Sequence, residues 1–243
     1  MKFKPKAVFL LGDLVSDGYD EGQWRIFNEI TAEMRKEADF YPVLGNHDKE
    51  SPLYFANFGF GQEQRWYAVL KYGINFIILD SNVEIGPGSE QYKWLESQLR
   101  RNPAYPAVIL LHRPLFTLTP RHKDADRLRE QLLPLLQRYA VLAVFSGHDH
   151  SYQRFFYNGI YFIVTPSAGG TPYNREVVNP YNQIFLQEHG FFILSLRHDV
   201  LAVDVYGLDL NLLDHFEIML NKGYAQQRAS GIEDLVNITA IAK

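Results

Sequence analysis

The sequence predicts an α/β fold built on mixed β-sheet, and three observations carry that expectation. Four short apolar runs each stop at polar residues of metal-binding or catalytic type. Helical periodicities lie between them. Paired runs joined by hairpin turns, mostly in the C-terminal half, add antiparallel strands.

The first run, Ala7-Val8-Phe9-Leu10-Leu11, ends in Gly12-Asp13, and the second, Tyr41-Pro42-Val43-Leu44, ends in Gly45-Asn46-His47-Asp48. The third, Ala107-Val108-Ile109-Leu110-Leu111, stops at His112. The fourth, Val141-Leu142-Ala143-Val144-Phe145, runs into Ser146-Gly147-His148-Asp149-His150. Unbroken apolar runs of this length read as strands buried on both faces, as in parallel or mixed sheets. Between the first two, Trp24, Phe27, Ile30 (or Thr31) and Met34 recur at helical spacing, which predicts a helix over 23–38. Tyr92, Leu95 and Leu99 predict another over 89–101, with Ser89 as N-cap. Leu128, Leu132, Leu135 and Leu136 predict a third over 125–139, with a kink or restart at Pro134. Strand–helix–strand alternation is the βαβ pattern.

Hairpins are expected around Lys71-Tyr72-Gly73 and Asn158-Gly159, the second being the stronger signal. Runs at 191–196, 201–206 and 212–218 predict a C-terminal meander. The Gly-, Pro- and Asn-rich stretch 165–188 reads as a long loop, and 221–243 as a helix or a partly disordered tail. With no repeat and no linker, the expected division is a domain over 1–218 and a C-terminal tail over 219–243.

Composition narrows the function. The chain has 243 residues and no cysteine, which excludes disulfides, thiolate metal sites and a cysteine nucleophile. A net charge of −4 disfavours broad phosphate neutralisation, so nucleic acid is an unexpected partner. No apolar run approaches the ~18 residues of a membrane span, so no membrane segment is expected. The first six residues, Met-Lys-Phe-Lys-Pro-Lys, do not form a signal peptide, and the compartment stays open.

If the four runs are neighbouring strands, their carboxyl ends share one edge, where open α/β sheets bind ligands. Asp13, Asn46, His112, His148 and His150 then converge. Carboxylate, amide and imidazole donors without sulfur suit Mn, Fe, Zn or Co. His148 and His150 point the same way along an extended segment, which would let them serve one ion each. Taken singly, these residues have ordinary readings: Asp and Asn are common in turns, and a lone histidine is more often packing than ligand. Four such endings in order leave that reading little room. His122, His189, His198 and His215 fall outside the pattern.

Gly12-Asp13, Gly45-Asn46-His47-Asp48, His112 with Pro114, and Gly147-His148-Asp149-His150 resemble the calcineurin-like metallophosphoesterases. The stretches His112-Arg113-Pro114-Leu115-Phe116 and 147–154 are similar to the purple acid phosphatase branch. The resemblance implies a four-layer α/β/β/α sandwich of two mixed sheets holding two metal ions. It implies that Asp13 bridges both ions, that Asn46, His112 and His148 complete one, and that His150 binds the other. It further implies that His47 contacts the substrate phosphate, as general acid or by stabilising the charge that develops, and that Asp48 orients His47.

Two departures accompany the resemblance. The family carries an Asp-x-His or Asp-x-Gly on an earlier strand, and no Asp-x-His occurs in this chain. Ser16 stands where the purple branch places a metal-binding tyrosine. The expectation is therefore a chain whose first strand is missing, holding one metal firmly and weakly active or inactive. The expected reaction is hydrolysis of a phosphomonoester or phosphodiester by metal-activated water, the phosphate ester being the partner. The alternative is a non-catalytic metal- or phosphate-binding scaffold. Arg65, Arg113, Arg121 and Arg154 are candidate phosphate contacts. Oligomeric state is not readable from the chain.

Overall fold

A computed structural model describes residues 3–61, 64–101, 103–220 and 237–241. The first strand, β1 (Ala7–Leu10), crosses through α1 (Glu21–Arg35) to a parallel neighbour, β2 (Asp39–Pro42). Asp20 caps α1 by accepting the Gln23 amide at 3.1 Å. A short helix, α2 (Pro52–Phe58), follows, with Ser51 as N-cap, Pro52 in its first turn and Gly59 (φ 68°) as its left-handed stop. Its seven residues are too few for a helical periodicity to show in the sequence.

The hairpin β3 (Tyr67–Lys71) and β4 (Ile74–Ile78) turns at Tyr72 and Gly73, both at positive φ as a two-residue turn requires. Next come α3 (Glu90–Arg101), β5 (Ala107–Leu111), α4 (His122–Arg138) and β6 (Ala143–Ser146). Ser89 caps α3 as expected, its hydroxyl accepting the Tyr92 amide at 3.1 Å. Pro134 lies inside α4, which continues to Arg138, so the predicted restart does not occur. The remainder is strand: β7 (Tyr152–Tyr157), β8 (Ile160–Val164), β9 (Asn182–Leu186), β10 (Gly190–Arg197), β11 (Val200–Gly207), β12 (Leu212–Met219) and β13 (Asn237–Ile241).

The strands form two mixed sheets, confirming the α/β class. One has the order β12-β11-β10-β13-β1-β2, the other β3-β4-β5-β6-β8-β7-β9. In the second, β4, β5, β6 and β8 run parallel. Two strands depart from the sequence reading. β9, inside the expected long loop, pairs antiparallel with β7. β13, inside the expected tail, pairs parallel with β1 and antiparallel with β10, with Ala7 opposite Ile238. The helix considered for the rest of that tail lies outside the described residues.

The sheets pack face to face. Ala7, Phe9, Phe192 and Val203 of one meet Phe76, Val108, Leu110 and Phe145 of the other in a shared core. The far side of the seven-stranded sheet is covered by α3 and α4 through Leu95, Leu99, Leu132 and Leu136. Val8 and Leu10 point away from the shared core and are also buried. The β1–α1–β2 crossover therefore runs over that outer face, since the inner one is filled. Trp24, Tyr54 and Phe55 pack with Val15 and Leu44, which follow β1 and β2. Parallel strands from both sheets thus deliver their carboxyl ends to one rim.

Candidate metal centre

The rim gathers the expected residues. His112 follows β5 and is fully buried, and its Nδ1 donates to the Leu11 carbonyl at 2.8 Å. That bond spans the two sheets and leaves the lone pair on Nε2. Around this atom lie Asn46 Oδ1 at 3.1 Å, Asp13 Oδ2 at 3.2 Å and His148 Nδ1 at 3.1 Å. Asp13, His112 and His148 together have the geometry of a metal-binding group. Ligands ~2.1 Å from a tetrahedral ion stand about 3.4 Å apart, close to these separations. The donor set, one carboxylate, one amide oxygen and two imidazoles, suits a borderline first-row ion. The residues present therefore fit a divalent cation.

The backbone is shaped for this convergence. Asp13 (φ 55°) and His148 (φ 66°) both sit in the left-handed region, at a cost of about 1 kcal/mol or more each. Gly45 lies so close to Asp13 that any Cβ there would overlap its backbone and carboxylate. Burial opposes ionisation of Asp13, but His112 and the His47 amide outweigh it and hold its carboxyl below the usual range. Burial, helped by His112 and the Arg121 and Arg113 guanidiniums, pulls His148 down to about 2, so its ring is neutral and able to ligate.

His47 is exposed on the rim. Its amide donates to Asp13 Oδ1 at 2.8 Å, and its ring Nδ1 lies 3.0 Å from the Ser16 carbonyl, which frees Nε2. The Asp48 carboxylate, expected to orient His47, accepts the amides of Gly45 (2.7 Å), Leu14 (2.9 Å) and Asp13 (3.0 Å) and so ties the two loops together. Burial pushes that carboxyl up to about 6 despite the three donors.

His150 stands apart from the Asp13, His112 and His148 group. Its Nδ1 donates to the Thr171 carbonyl at 3.0 Å, and its ring stacks on Tyr173 with centroids 4.7 Å apart. Gly170 cradles the ring, where any Cβ would collide with it. The four arginines divide. Arg121 and Arg113 reach His148 Nε2 at 2.8 and 3.5 Å. Arg154 instead pairs with Asp214 (2.8 Å) and links β7 to β12, while Arg65 pairs with Asp80 (2.7 Å) and Glu50 (2.6 Å).

Sequence reasoning missed several participants. Asn82 donates to the Leu44 carbonyl at 3.0 Å and steadies the start of the Gly45 loop. Thr119 donates to Asp149 Oδ2 at 2.6 Å, Thr117 bonds the same oxygen, and Gln153 Oε1 accepts the Leu118 amide at 2.8 Å. The polar Thr117 and Thr119, set in an otherwise apolar stretch, are the one local signal for that cluster.

The model of the calcineurin-like phosphoesterase family matches residues 2–152. A probable purple acid phosphatase from Arabidopsis thaliana is 29% identical over 170 residues, covering 61% of this chain and 40% of that protein. A probable glycerophosphodiester phosphodiesterase from Arcobacter nitrofigilis is 29% identical over 179 residues, covering 69% and 64%. The chain thus spans less than two thirds of the length of either relative. Among solved structures, a purple acid phosphatase from yellow lupin superposes with a TM-score of 0.77 at 21% identity, over 91% of this chain and 48% of that one. GAP50, described as the anchor in the inner membrane complex of Plasmodium, gives 0.70 at 18% identity, over 98% and 84%. These likenesses establish the fold, and the family match covers well over half the sequence. By its motifs, its two-sheet architecture and that match, the chain belongs to the calcineurin-like phosphoesterase family.

Proposed function

We propose that this chain hydrolyses a phosphate ester with a divalent cation held by Asp13, Asn46, His112 and His148. The observation that carries the reading is the meeting of Asp13 Oδ2, Asn46 Oδ1 and His148 Nδ1 around His112 Nε2, with His47 exposed on the same rim. A cation in that position supplies Lewis acidity toward phosphoryl oxygens and lowers the pKa of its water.

The chain's own groups do the rest. His47, whose Nδ1–H is held by the Ser16 carbonyl, presents Nε2 to the leaving oxygen; as the imidazolium it gives the Nε2 proton to that oxygen and is left neutral with its Nδ1–H in place. Arg113 and Arg121, both beside His148, take non-bridging oxygens of the substrate. Asp48 keeps the Asp13 and Gly45 loops in register, so the ligands and His47 stay aligned. A second cation falls to Asp13 and His150, two protein ligands among the described residues, and is held more weakly.

That short ligand supply favours a second reading, a metal-binding scaffold without turnover. Nitrophenyl phosphate mono- and diesters with added Mn²⁺ decide between the two. Chelator-sensitive release of nitrophenol, abolished in His148→Ala, supports the enzyme and names the ester type. Bound Mn²⁺ without turnover of either ester establishes the scaffold.

A further inference from the structure

We infer that Arg121 and the metal ion compete for one imidazole, His148, so that loading the centre expels Arg121 from its present contact. The inference rests on the metal centre proposed above.

A guanidinium has only donors. Arg121 Nη1 lies 2.8 Å from His148 Nε2, with Arg113 Nη1 behind it at 3.5 Å. His148 Nε2 therefore accepts, and the neutral ring carries its proton on Nδ1, 3.1 Å from the lone pair on His112 Nε2. Nδ1 is the nitrogen turned toward His112 Nε2, the atom around which Asp13 Oδ2 and Asn46 Oδ1 also lie. A cation in that cluster needs the Nδ1 lone pair. The Nδ1 proton then passes to solvent, and Nε2 takes one up, leaving the ring neutral. Nε2–H would now confront the Arg121 N–H, two donors at a distance that suits only a donor and an acceptor.

The structure also holds the place for Arg121 to go. Asp149 is buried, and its Oδ2 is occupied by the Thr117 and Thr119 hydroxyls. Its Oδ1 has no hydrogen-bond partner among the described residues and lies 3.7 Å from Arg121 Nε. The Arg121 side chain is 39% exposed, so the shift needs no repacking of the core. Satisfying a buried carboxylate oxygen favours the move.

The shift reaches beyond the metal ligands. Arg121 Nη2 donates to the Tyr173 hydroxyl at 3.0 Å, and Tyr173 stacks on His150. Metal loading at His148 is thereby coupled to the loop that follows β8. By linkage, whatever holds Arg121 away from His148 raises metal affinity by the same factor.

The test is Zn²⁺ affinity, measured by competition with a chromophoric chelator, for the full chain and for Arg121→Ala. Arg121→Met keeps the stem against Tyr173 and serves as a second variant. Both should bind Zn²⁺ about tenfold more tightly, the scale of one charged hydrogen bond. The gain should persist in about 0.5 M salt, where repulsion between exposed charges is screened. Nitrogen-15 spectra of the histidines should show His148 protonated on Nδ1 without Zn²⁺ and on Nε2 with it. Unchanged or weaker binding in the variants, a gain that salt abolishes, or an Nε2–H tautomer in metal-free protein each overturns the inference. Failure of the unaltered chain to bind Zn²⁺ overturns the metal centre as well.

Discussion

His112 and Leu11 are 101 residues apart and joined by one hydrogen bond, the imidazole Nδ1–H donating to the carbonyl at 2.8 Å. Leu11 follows the strand of one sheet and His112 the strand of the other. The same bond that locks the rims together assigns the lone pair to Nε2, where the other donors gather. Fold and chemistry are coupled through a single ring.

His112→Ala should therefore damage both. Losing the bond and leaving a cavity in a fully buried position should cost roughly 2–4 kcal/mol of stability in metal-free protein. Asn46→Ala should remove metal with much less effect on the metal-free Tm, because among the described residues the Asn46 side-chain oxygen meets only His112 Nε2. Metal analysis beside thermal denaturation checks the pair. Equal Tm losses would show that His112 contributes only as a ligand.

His47→Ala should lower kcat on the order of 10²–10⁴-fold while leaving metal content unchanged. The ring is exposed and touches the Ser16 carbonyl, whereas the contact to Asp13 comes from its backbone amide, which alanine retains. Loss of metal from the purified variant would make His47 a ligand instead.

Asp48→Asn should weaken metal binding without touching a ligand. An amide group would point N–H at one or more of the Asp13, Leu14 and Gly45 amides that the carboxylate now accepts. An unsatisfied buried donor costs about 1–3 kcal/mol. Lower Tm together with weaker metal affinity is the expected result. A loss confined to kcat, with affinity and Tm intact, would return Asp48 to the role of orienting His47.

Arg154→Ala should destabilise the protein and spare catalysis. Arg154 and the Tyr152 hydroxyl (2.5 Å) both satisfy Asp214, across the gap between the sheets. Removing one partner of this largely buried pair should cost about 1–3 kcal/mol. A lower Tm with unchanged kcat and KM is expected. A raised KM would assign Arg154 to the substrate.

Much of this was legible from residues alone. The four strand-ending motifs named Asp13, Asn46, His112 and His148, because a strand, a sharp turn and a ligand are neighbours in sequence and leave a local pattern. The βαβ alternation and the Asn158-Gly159 hairpin appeared for the same reason. Where a signal depended on a distant partner, the sequence was silent. β9 and β13 are five residues each, and they are strands because β7, β1 and β10 present free edges to them.

The tertiary structure alone decided how the named side chains are used. Four arginines looked alike along the chain, yet Arg154 and Arg65 are held by Asp214 and Asp80, while Arg113 and Arg121 stand at His148. His47 is steered by a carbonyl of Ser16, and Asp48 serves three backbone amides. A backbone carbonyl or amide has the same chemistry at every residue, so no motif reports which one a side chain will meet. The sequence by itself determined which donors the rim contains. Packing two sheets face to face determined which atom of each donor faces the centre.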